Sequence, residues 1–252
     1  MKKFNKLLNL ILPLLTIFVI ALIWQISSRS IDNQYILPSV ESTLNEFFLQ
    51  LSSTEFYRAL FFTLLRSLIA FAISFVLAFA LAVLSVKNKC VKSLIAPIIS
   101  IMRALPTIAI VLLLLFWTNS QIAPIVVTAL VVLPTSFTHI ESAFRSLDKT
   151  VSEAGEVDGA NTFQVFMRVE FAQALPLILN AIGGGISLNF KLMVAAEVLS
   201  QTANSIGLLL NTAKVYFEMA QMMAIVLVAV IFGVIIESIF DYIAKKTGEW
   251  KN

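Results

Sequence analysis

The sequence predicts an all-α integral membrane protein with six transmembrane helices and both termini in the cytoplasm. Hydrophobic residues make up 59% of the 252 residues, charged residues only 13%, and the mean hydropathy is +0.91. Soluble domains carry roughly 25% charged residues, so these values exclude a soluble enzyme, a secreted disulfide scaffold and a disordered regulator. Six spans of about 20 residues take about half of the chain. We therefore expect residues 1–252 to form one transmembrane domain without space for a separate catalytic domain.

Six long apolar runs carry the predicted spans. Continuous runs favour helices, because backbone groups in lipid must be hydrogen-bonded within their own segment. The third run contains Pro97, Arg103 and Pro106, so we expect this span to be bent or broken. The first run follows three lysines and also resembles a signal peptide, but it is long and has no clear Ala-x-Ala end. The predicted spans are about 7–26, 59–86, 94–117, 122–140, 175–199 and 222–240.

The basic residues between the runs predict the orientation, because lysine and arginine close to span ends favour the cytoplasm. Of the eighteen, twelve lie on the side of the N-terminus, three on the opposite side and three within runs. This bias agrees with six spans, since an odd number would break the alternation. The twelve are Lys2, Lys3, Lys6, Lys87, Lys89, Lys92, Arg145, Lys149, Arg168, Lys245, Lys246 and Lys251; the opposite three are Arg29, Arg58 and Lys214.

A short amphipathic helix is predicted over residues 39–51, between the first two spans. Ser39 is suited to cap its N-terminus, and the apolar side chains recur at helical spacing. Two placements remain open, one on the outer membrane surface and one packed on the helical bundle. The apolar side carries Val40, Leu44, Phe47, Phe48 and Leu51.

The cytoplasmic connection between the fourth and fifth spans, about 145–174, is the most polar stretch of the chain. Residues 151–158 can form a short helix, Gly159 can turn the chain, and Asn161 or Thr162 can begin a second helix. A helix–turn–helix with an aromatic face favours docking on a partner, although packing on the protein's own bundle explains the pattern equally well. The aromatic face carries Phe163, Phe166 and Met167.

This connection resembles the EAA loop of permease subunits of binding-protein-dependent ABC importers. The family pattern is Glu-Ala-Ala, three residues, Gly-Ala, five residues, Phe, two residues, Val, one residue and Leu-Pro, with a second proline three residues later. The chain departs from it at Gly155, Phe171 and Ala172. The residues that hold their places are Glu153, Ala154, Gly159, Ala160, Phe166, Val169 and Pro176.

Shorter strings resemble one subgroup of this family, the nitrate, sulfonate and taurine permeases, which also includes permeases for thiamine-pyrimidine precursors and riboflavin. Each string is weak alone, and together they cover most of the chain. They are Leu-Pro-Ser at 37–39, Thr-Leu-Leu-Arg-Ser at 63–67, Met-Arg-Ala-Leu-Pro at 102–106, Ala-Glu-Val-Leu at 196–199 and Ser-Ile-Gly-Leu at 205–208.

The resemblance implies a multi-pass permease of the cell membrane, with the type I importer fold and the mechanism of an ATP-driven importer. Two permease subunits, usually identical, would form the pathway, and an extracytoplasmic binding protein would deliver the solute. Two cytoplasmic ATPase subunits would bind ATP and Mg²⁺ and dock on the EAA loops, so that ATP-driven closure moves the docked helices. The implied coupling residues are Glu153, Ala154, Gly159, Ala160, Phe163, Phe166 and Val169.

The source of energy is expected to lie outside this chain. The triplet at 183–185 is followed by Ile186 and Ser187 rather than Lys-Ser/Thr, so it is not a phosphate-binding loop; small residues there favour close approach of two spans. One histidine and one cysteine also leave no metal cluster and no nucleophile–base set. We therefore expect a transport subunit without a cofactor or nucleic-acid partner. The competing interpretation is an ion-coupled secondary transporter, although no internal repeat supports it.

Four ionisable groups within the apolar runs are candidates for substrate contact, because charges at membrane depth are costly and usually face protein or water. Lys191 could meet an anionic solute in the pathway, pair with a carboxylate such as Glu197 or Glu237, or extend its ammonium group to the membrane surface. A sulfonate or nitrate-like anion suits these cations, whereas the twenty phenylalanines equally allow a small heterocycle. The candidates are Arg66, Arg103, Lys191 and Glu197.

Overall fold

The computed structural model describes residues 2–147, 150 and 161–248, apart from the side chains of residues 2–10, 162, 247 and 248. Every regular element within these residues is a helix, which confirms the predicted all-α class. The helices are α1 (Lys2–Ile31), α2 (Val40–Leu51), α3 (Thr54–Lys87), α4 (Lys89–Ala104), α5 (Thr107–Trp117), α6 (Ala123–Arg145), α7 (Thr162–Val165), a π-helix (Phe166–Glu170), α8 (Phe171–Ser200), α9 (Ile206–Val215) and α10 (Met219–Gly248).

Five helical segments within the described residues are long and apolar enough to cross a membrane, and a sixth candidate is a bent pair. The pair consists of α4 and α5, whose axes differ by 95° across Leu105 and Pro106. Pro106 cannot donate a backbone hydrogen bond, and proline disfavours the helical conformation of the residue before it. Leu105 is accordingly extended, with ψ of 127°. The expected break in the third span is confirmed.

The helical path that contains the fifth span begins earlier than the predicted span. The sequence places its start near Leu175, but the helical path runs from Thr162 through the π-helix and α8 to Ser200 without a break. Pro176 therefore lies inside α8 and not at its start. A proline removes one backbone hydrogen bond, and neighbouring helices can hold the rest of the turn together. As a result, the cytoplasmic connection and the span share one helical path.

The described chain divides into two compact units. The first contains residues 1–57 and 209–229. Within it, the link between α1 and α2 is tied to α1 by Trp24, which donates to the carbonyl of Pro38 at 2.9 Å, and by Gln25, which accepts from the amide of Val40 at 2.9 Å. Ser39 caps α2 by accepting from the amide of Ser42. The predicted amphipathic helix is thus confirmed.

One groove of the first unit lies between α1 and α2. Its walls include Phe18 and Leu22 of α1 and Leu44 and Phe48 of α2. Leu44 and Phe48 remain 46% and 63% exposed. The start of α2 therefore packs on α1, while much of its apolar side is uncovered.

The second unit contains residues 58–208 and 230–252, and α6 is its central helix. Buried residues occur along the whole length of α6, which packs most extensively against α8. A series of aromatic contacts runs from α3 through α6 to the π-helix, with neighbouring ring centroids 5.6–6.3 Å apart. The rings belong to Phe71, Phe75, Phe79, Phe144 and Phe166.

Two of the three consecutive glycines in α8 allow close helix approach. A Cβ on Gly183 would lie 2.6 Å from Cβ of Phe240 on α10, and one on Gly185 would lie 2.9 Å from Cε2 of Phe71 on α3. Real Cβ atoms do not come this close to other atoms, so both sites require glycine in this packing. A Cβ on Gly184 would meet nothing within 4 Å. The predicted close approach of spans is confirmed at two positions, while the third borders open space.

Candidate functional site

The structure describes the last part of the predicted coupling loop, from Asn161 to Glu170, which we call the coupling segment. It begins with a reciprocal cap at the start of α7. The amide of Gln164 donates to Oδ1 of Asn161 at 2.9 Å, and the amide of Asn161 donates to Oε1 of Gln164 at 3.0 Å. This pair of bonds is a capping box, which satisfies two amides that would otherwise lack partners. The cap explains why the helix starts at Thr162, as the sequence predicts.

The aromatic side chains of this segment separate into one exposed and one packed group. Phe163 is 71% exposed. Phe166 stacks on Phe144 with ring centroids 5.7 Å apart, and Nζ of Lys87 lies 4.2 Å from the centroid of the Phe166 ring. Val169 is half-buried. Among the coupling candidates that the structure describes, Phe163 is therefore the side chain that is free to enter a partner's groove.

The other predicted coupling residues, Glu153, Ala154, Gly159 and Ala160, lie outside the described residues. Their assignment to the coupling loop remains a prediction from the sequence pattern.

A carboxylate on α6 organises the neighbouring ends of α3 and α4. Oε1 of Glu141 accepts from Oγ of Ser85 at 3.1 Å and from Nε and Nη2 of Arg145 at 3.0 and 2.9 Å. Nζ of Lys92 lies 3.8 Å from the same oxygen. The sequence alone does not predict this cluster, although the Glu141–Arg145 spacing of one helical turn is the signal for a pair. The cluster ties three helices together beside Lys87 and the π-helix.

Two of the four intramembrane candidates form a buried ion pair. Nη1 of Arg66 on α3 lies 2.6 Å from Oε1 of Glu197 on α8, and the Glu197 side chain has no exposed surface. Oγ1 of Thr63 donates to Oε2 of Glu197 at 2.8 Å. Arg66, and not Lys191, is thus the partner of this carboxylate. Opposite charges and additional donors are what a buried pair needs to offset its desolvation.

The ion pair also holds the turn between α8 and α9. Nη2 of Arg66 donates to the carbonyls of Ala203 and Asn204 at 2.9 and 3.3 Å. The amide of Gly207 lies 3.4 Å from Oε2 of Glu197. A Cβ on Gly207 would lie 2.4 Å from Cβ of Glu197, so a larger residue would displace the carboxylate. The pathway role predicted for Arg66 and Glu197 stays a prediction; their observed contacts organise this turn.

Arg103 lies in the last turn of α4, directly before the bend. Its guanidinium donates to the carbonyl of Pro134 at 3.1 Å and to Oγ1 of Thr138, both on α6. Oγ1 of Thr138 in turn donates to the same carbonyl at 2.8 Å. Arg103 is exposed and anchors the end of α4 to α6 at the break in the span.

Lys191 differs from Arg66 and Arg103 because its side chain makes neither an ion pair nor a hydrogen bond within the described residues. It is exposed on α8. A Cβ on Gly233 of α10 would lie 3.4 Å from Cε of Lys191, so the lysine stem runs past this glycine. The structure therefore brings together Arg66 and Glu197 but leaves Arg103 and Lys191 at separate places.

Comparison with known proteins identifies the fold and the class of transport. Residues 70–249 match a family described as the binding-protein-dependent transport system inner membrane component. The match includes the coupling segment and all the intramembrane candidates except Arg66. The chain belongs to this family. It is a multi-pass inner-membrane permease subunit of an ABC importer.

Two relatives of the permease illustrate the range of solutes for which members of the family are named. The riboflavin transport system permease protein RibX of Chloroflexus aurantiacus is 23% identical over 205 residues, which cover 81% of this chain and 76% of that protein. The formylaminopyrimidine transport permease protein ThiX of Halalkalibacterium halodurans is 27% identical over 172 residues, which cover 68% of each chain. These similarities support membership of the family, but they do not identify one substrate, since the two relatives are named for different solutes.

The fold of the permease is also that of a solved importer. The methionine ABC transporter MetNI in its inward-facing conformation contains a chain that superposes with a TM-score of 0.68 at 19% identity. The superposition covers 76% of this chain and 95% of that one. This likeness establishes the ABC permease fold.

Proposed function

We propose that two copies of this permease form the membrane pathway of an ATP-driven importer, with both termini in the cytoplasm. The family is binding-protein-dependent, which supports an extracytoplasmic partner that delivers a small solute. The twelve basic residues on the side of the N-terminus support the orientation. Two ATPase subunits, which bind ATP and Mg²⁺, dock on the cytoplasmic side, and this chain itself holds no cofactor.

The observation that carries the coupling proposal is the unbroken helical path from Thr162 to Ser200 with Phe163 exposed near its capped end. A helix rises about 1.5 Å per residue, so this path reaches from the cytoplasmic connection through the whole span. A displacement of Phe163 by a moving ATPase subunit would therefore pass directly into the membrane. Glu153, Ala154, Gly159 and Ala160 complete the coupling loop by their match to the EAA pattern.

Two classes of solute remain candidates for the pathway. A sulfonate or nitrate-like anion is supported by the resemblance to the nitrate, sulfonate and taurine subgroup and by the cations Lys191 and Arg103. A small heterocycle or vitamin precursor is supported by the relatives that transport riboflavin and formylaminopyrimidine. An ion-coupled secondary transporter is not favoured, because the family depends on a binding protein.

The proposal is tested by purifying the tagged permease together with the products of neighbouring genes. We expect an ATPase to copurify and its ATP hydrolysis, in proteoliposomes, to increase when the liganded binding protein is added. A thermal-shift screen of the binding protein against sulfonates, nitrate, riboflavin and pyrimidines then identifies the solute. Uptake by this chain alone, without ATPase or binding protein, would overturn the proposal.

A further inference from the structure

One exposed face of α8 differs in character from the surfaces that suit lipid. The exposed side chains of α3 and α10 are mostly large and apolar. On α8, by contrast, Asn180, Lys191 and Ala195 are exposed and Gly184 is half-buried. At 3.6 residues per turn these four positions fall within about 60° of one another, with exposed leucines at the edge of the face. A polar and small-residue face within a span suits water or a second chain better than lipid.

Lys191 lies at a membrane depth where free charge is unfavourable. It is nine residues before Ser200, the end of α8, which corresponds to about 14 Å along the helix. The hydrocarbon core is about 30 Å thick, so a span that leaves the core at Ser200 would hold Lys191 near the middle of the core. None of the carboxylates in the described part of the chain forms an ion pair with Lys191, since Glu197 is paired with Arg66.

A buried hydroxyl next to Lys191 also lacks a partner. Ser187 is 2% exposed, and its Oγ makes no hydrogen bond within the described residues. A Cβ on Gly233 would lie 3.5 Å from Oγ of Ser187 and 3.4 Å from Cε of Lys191. The lysine stem and the hydroxyl of Ser187 therefore both lie against the α10 backbone at Gly233. An unpaired buried hydroxyl is costly, and the described residues supply no partner for this one.

We propose that Lys191 and Ser187, which meet α10 at Gly233, bind the anionic group of the transported solute, a carboxylate, sulfonate or phosphate. The ammonium supplies charge and the hydroxyl a second donor, which together match an anionic oxygen. The inference rests on the proposed function, because it requires that the polar face of α8 borders the pathway. It decides between the two candidate solute classes in favour of one that carries an anionic group.

The principal rival is an ion pair with Glu237. This residue lies on α10 one turn beyond Gly233 and is exposed. Its carboxylate forms no ion pair with Lys191 in the described structure, but assembly could bring the two charges together. If the two residues pair, Lys191→Met leaves an uncompensated carboxylate and lowers the thermal midpoint of the purified transporter. The double variant Lys191→Met/Glu237→Gln should then restore the midpoint. A site for solute predicts an unchanged midpoint in Lys191→Met and in Glu237→Gln.

The test uses thiol reagents of opposite charge as probes of the α8 face. Cys90, the single cysteine of the chain, is replaced by serine, and Ala195→Cys is introduced one turn beyond Lys191. The transporter, assembled with its ATPase and binding protein in membrane vesicles, is treated with the anionic sulfonatoethyl or the cationic trimethylammonioethyl methanethiosulfonate. Val76→Cys on α3, where the native side chain is 65% exposed, is the lipid-facing control.

We expect Ala195→Cys to react with both reagents and Val76→Cys with neither. The anionic reagent should react faster, and Lys191→Met should lower the ratio of anionic to cationic rates about tenfold, because one charge at this distance is removed from a partly buried site. Asn180→Cys, on the same face, serves as a second reporter if Ala195→Cys does not assemble.

Two results would overturn the inference. The first is that Ala195→Cys and Asn180→Cys both react as little as Val76→Cys. The second is that Lys191→Met leaves the ratio of anionic to cationic reaction rates unchanged. If either occurs while the binding protein still stimulates ATP hydrolysis, the site is wrong and the importer stands. Loss of that stimulation in the unsubstituted transporter would instead refute the proposed function.

Discussion

At the scale of single residues, the buried pair of Arg66 and Glu197 explains how two charges are tolerated inside a span. Each is the partner of the other, and Thr63 and Gly207 complete the surroundings of the carboxylate. Removing one member of such a pair leaves an uncompensated charge, which is far more costly than replacing both.

We therefore expect Arg66→Met to destabilise the permease by about 3–5 kcal/mol, because Glu197 would remain buried without a cation. The measurement is the thermal unfolding midpoint and the membrane abundance of the purified protein. The double variant Arg66→Met/Glu197→Gln is the matched control and should recover much of the loss. A single variant as stable as the unsubstituted protein would show that the pair does not hold the turn.

The three consecutive glycines of α8 allow a comparison within one turn of helix. Gly183→Ala places a methyl group 2.6 Å from Cβ of Phe240, so we expect a loss of about 1–3 kcal/mol from overpacking. Gly184→Ala adds the same methyl where nothing lies within 4 Å and should leave stability unchanged or slightly improved. Thermal midpoints of the two variants decide the matter, and equal values would contradict the close approach of α8 and α10.

At the scale of elements, the coupling segment combines a fixed base with an exposed tip. The π-helix is held by the stack of Phe166 on Phe144 and by Lys87, while Phe163 points away from this packing with 71% of its surface exposed. π-Helical turns often occur at functional sites, and this one joins the capped start of α7 to the long span α8.

Phe163→Ala and Phe166→Ala should consequently have different effects. We expect Phe163→Ala to retain the thermal midpoint of the permease but to reduce ATPase copurification and solute-dependent ATP hydrolysis, because only the docking contact is lost. Phe166→Ala should lower the midpoint, since a truncated packed phenylalanine costs about 3–5 kcal/mol when fully buried and less for this half-buried ring. Normal ATPase coupling in Phe163→Ala, at normal abundance, would refute the docking role.

The sequence predicted much of this segment but could not show which of its aromatic residues is packed and which is exposed. The capping residue Asn161 and the face shared by Phe163 and Phe166 follow from helical spacing. Which ring is covered depends on Phe144, about twenty residues away in the chain, and on Lys87 in another helix. Spacing along one helix contains no information about the side chains that another helix presents to it.

At the scale of the whole molecule, the bent pair α4–α5 determines the number of spans. If the pair crosses the membrane as one broken span, the chain has six spans and its termini share a side; if it re-enters, the chain has five and they do not. The charge distribution favours the first arrangement, because Arg145, Lys245 and Lys246 then lie on the cytoplasmic side, whereas a re-entrant pair would place them outside.

Labelling of cysteines in intact cells tests this topology. Cys90 is the single cysteine and is exposed at the start of α4, so an impermeant maleimide should label it only after the membrane is opened. In a Cys90→Ser background, Asn252→Cys should behave in the same way if there are six spans. Labelling of Asn252→Cys in intact cells, with Cys90 still protected, would indicate a re-entrant pair.

The sequence by itself determined the membrane environment, the helical class, the break near Pro106 and the cap of α2, because each depends on composition or on neighbours within a few residues. Only the tertiary structure decided that Glu197 pairs with Arg66 and that Gly233 of α10 lies beside Ser187 and Lys191. The Arg66–Glu197 pair joins residues 131 positions apart. The sequence offers both Glu197 and Glu237 as partners for Lys191, and neither forms an ion pair with it in the described structure, because helix packing, which local pattern does not encode, sets such contacts.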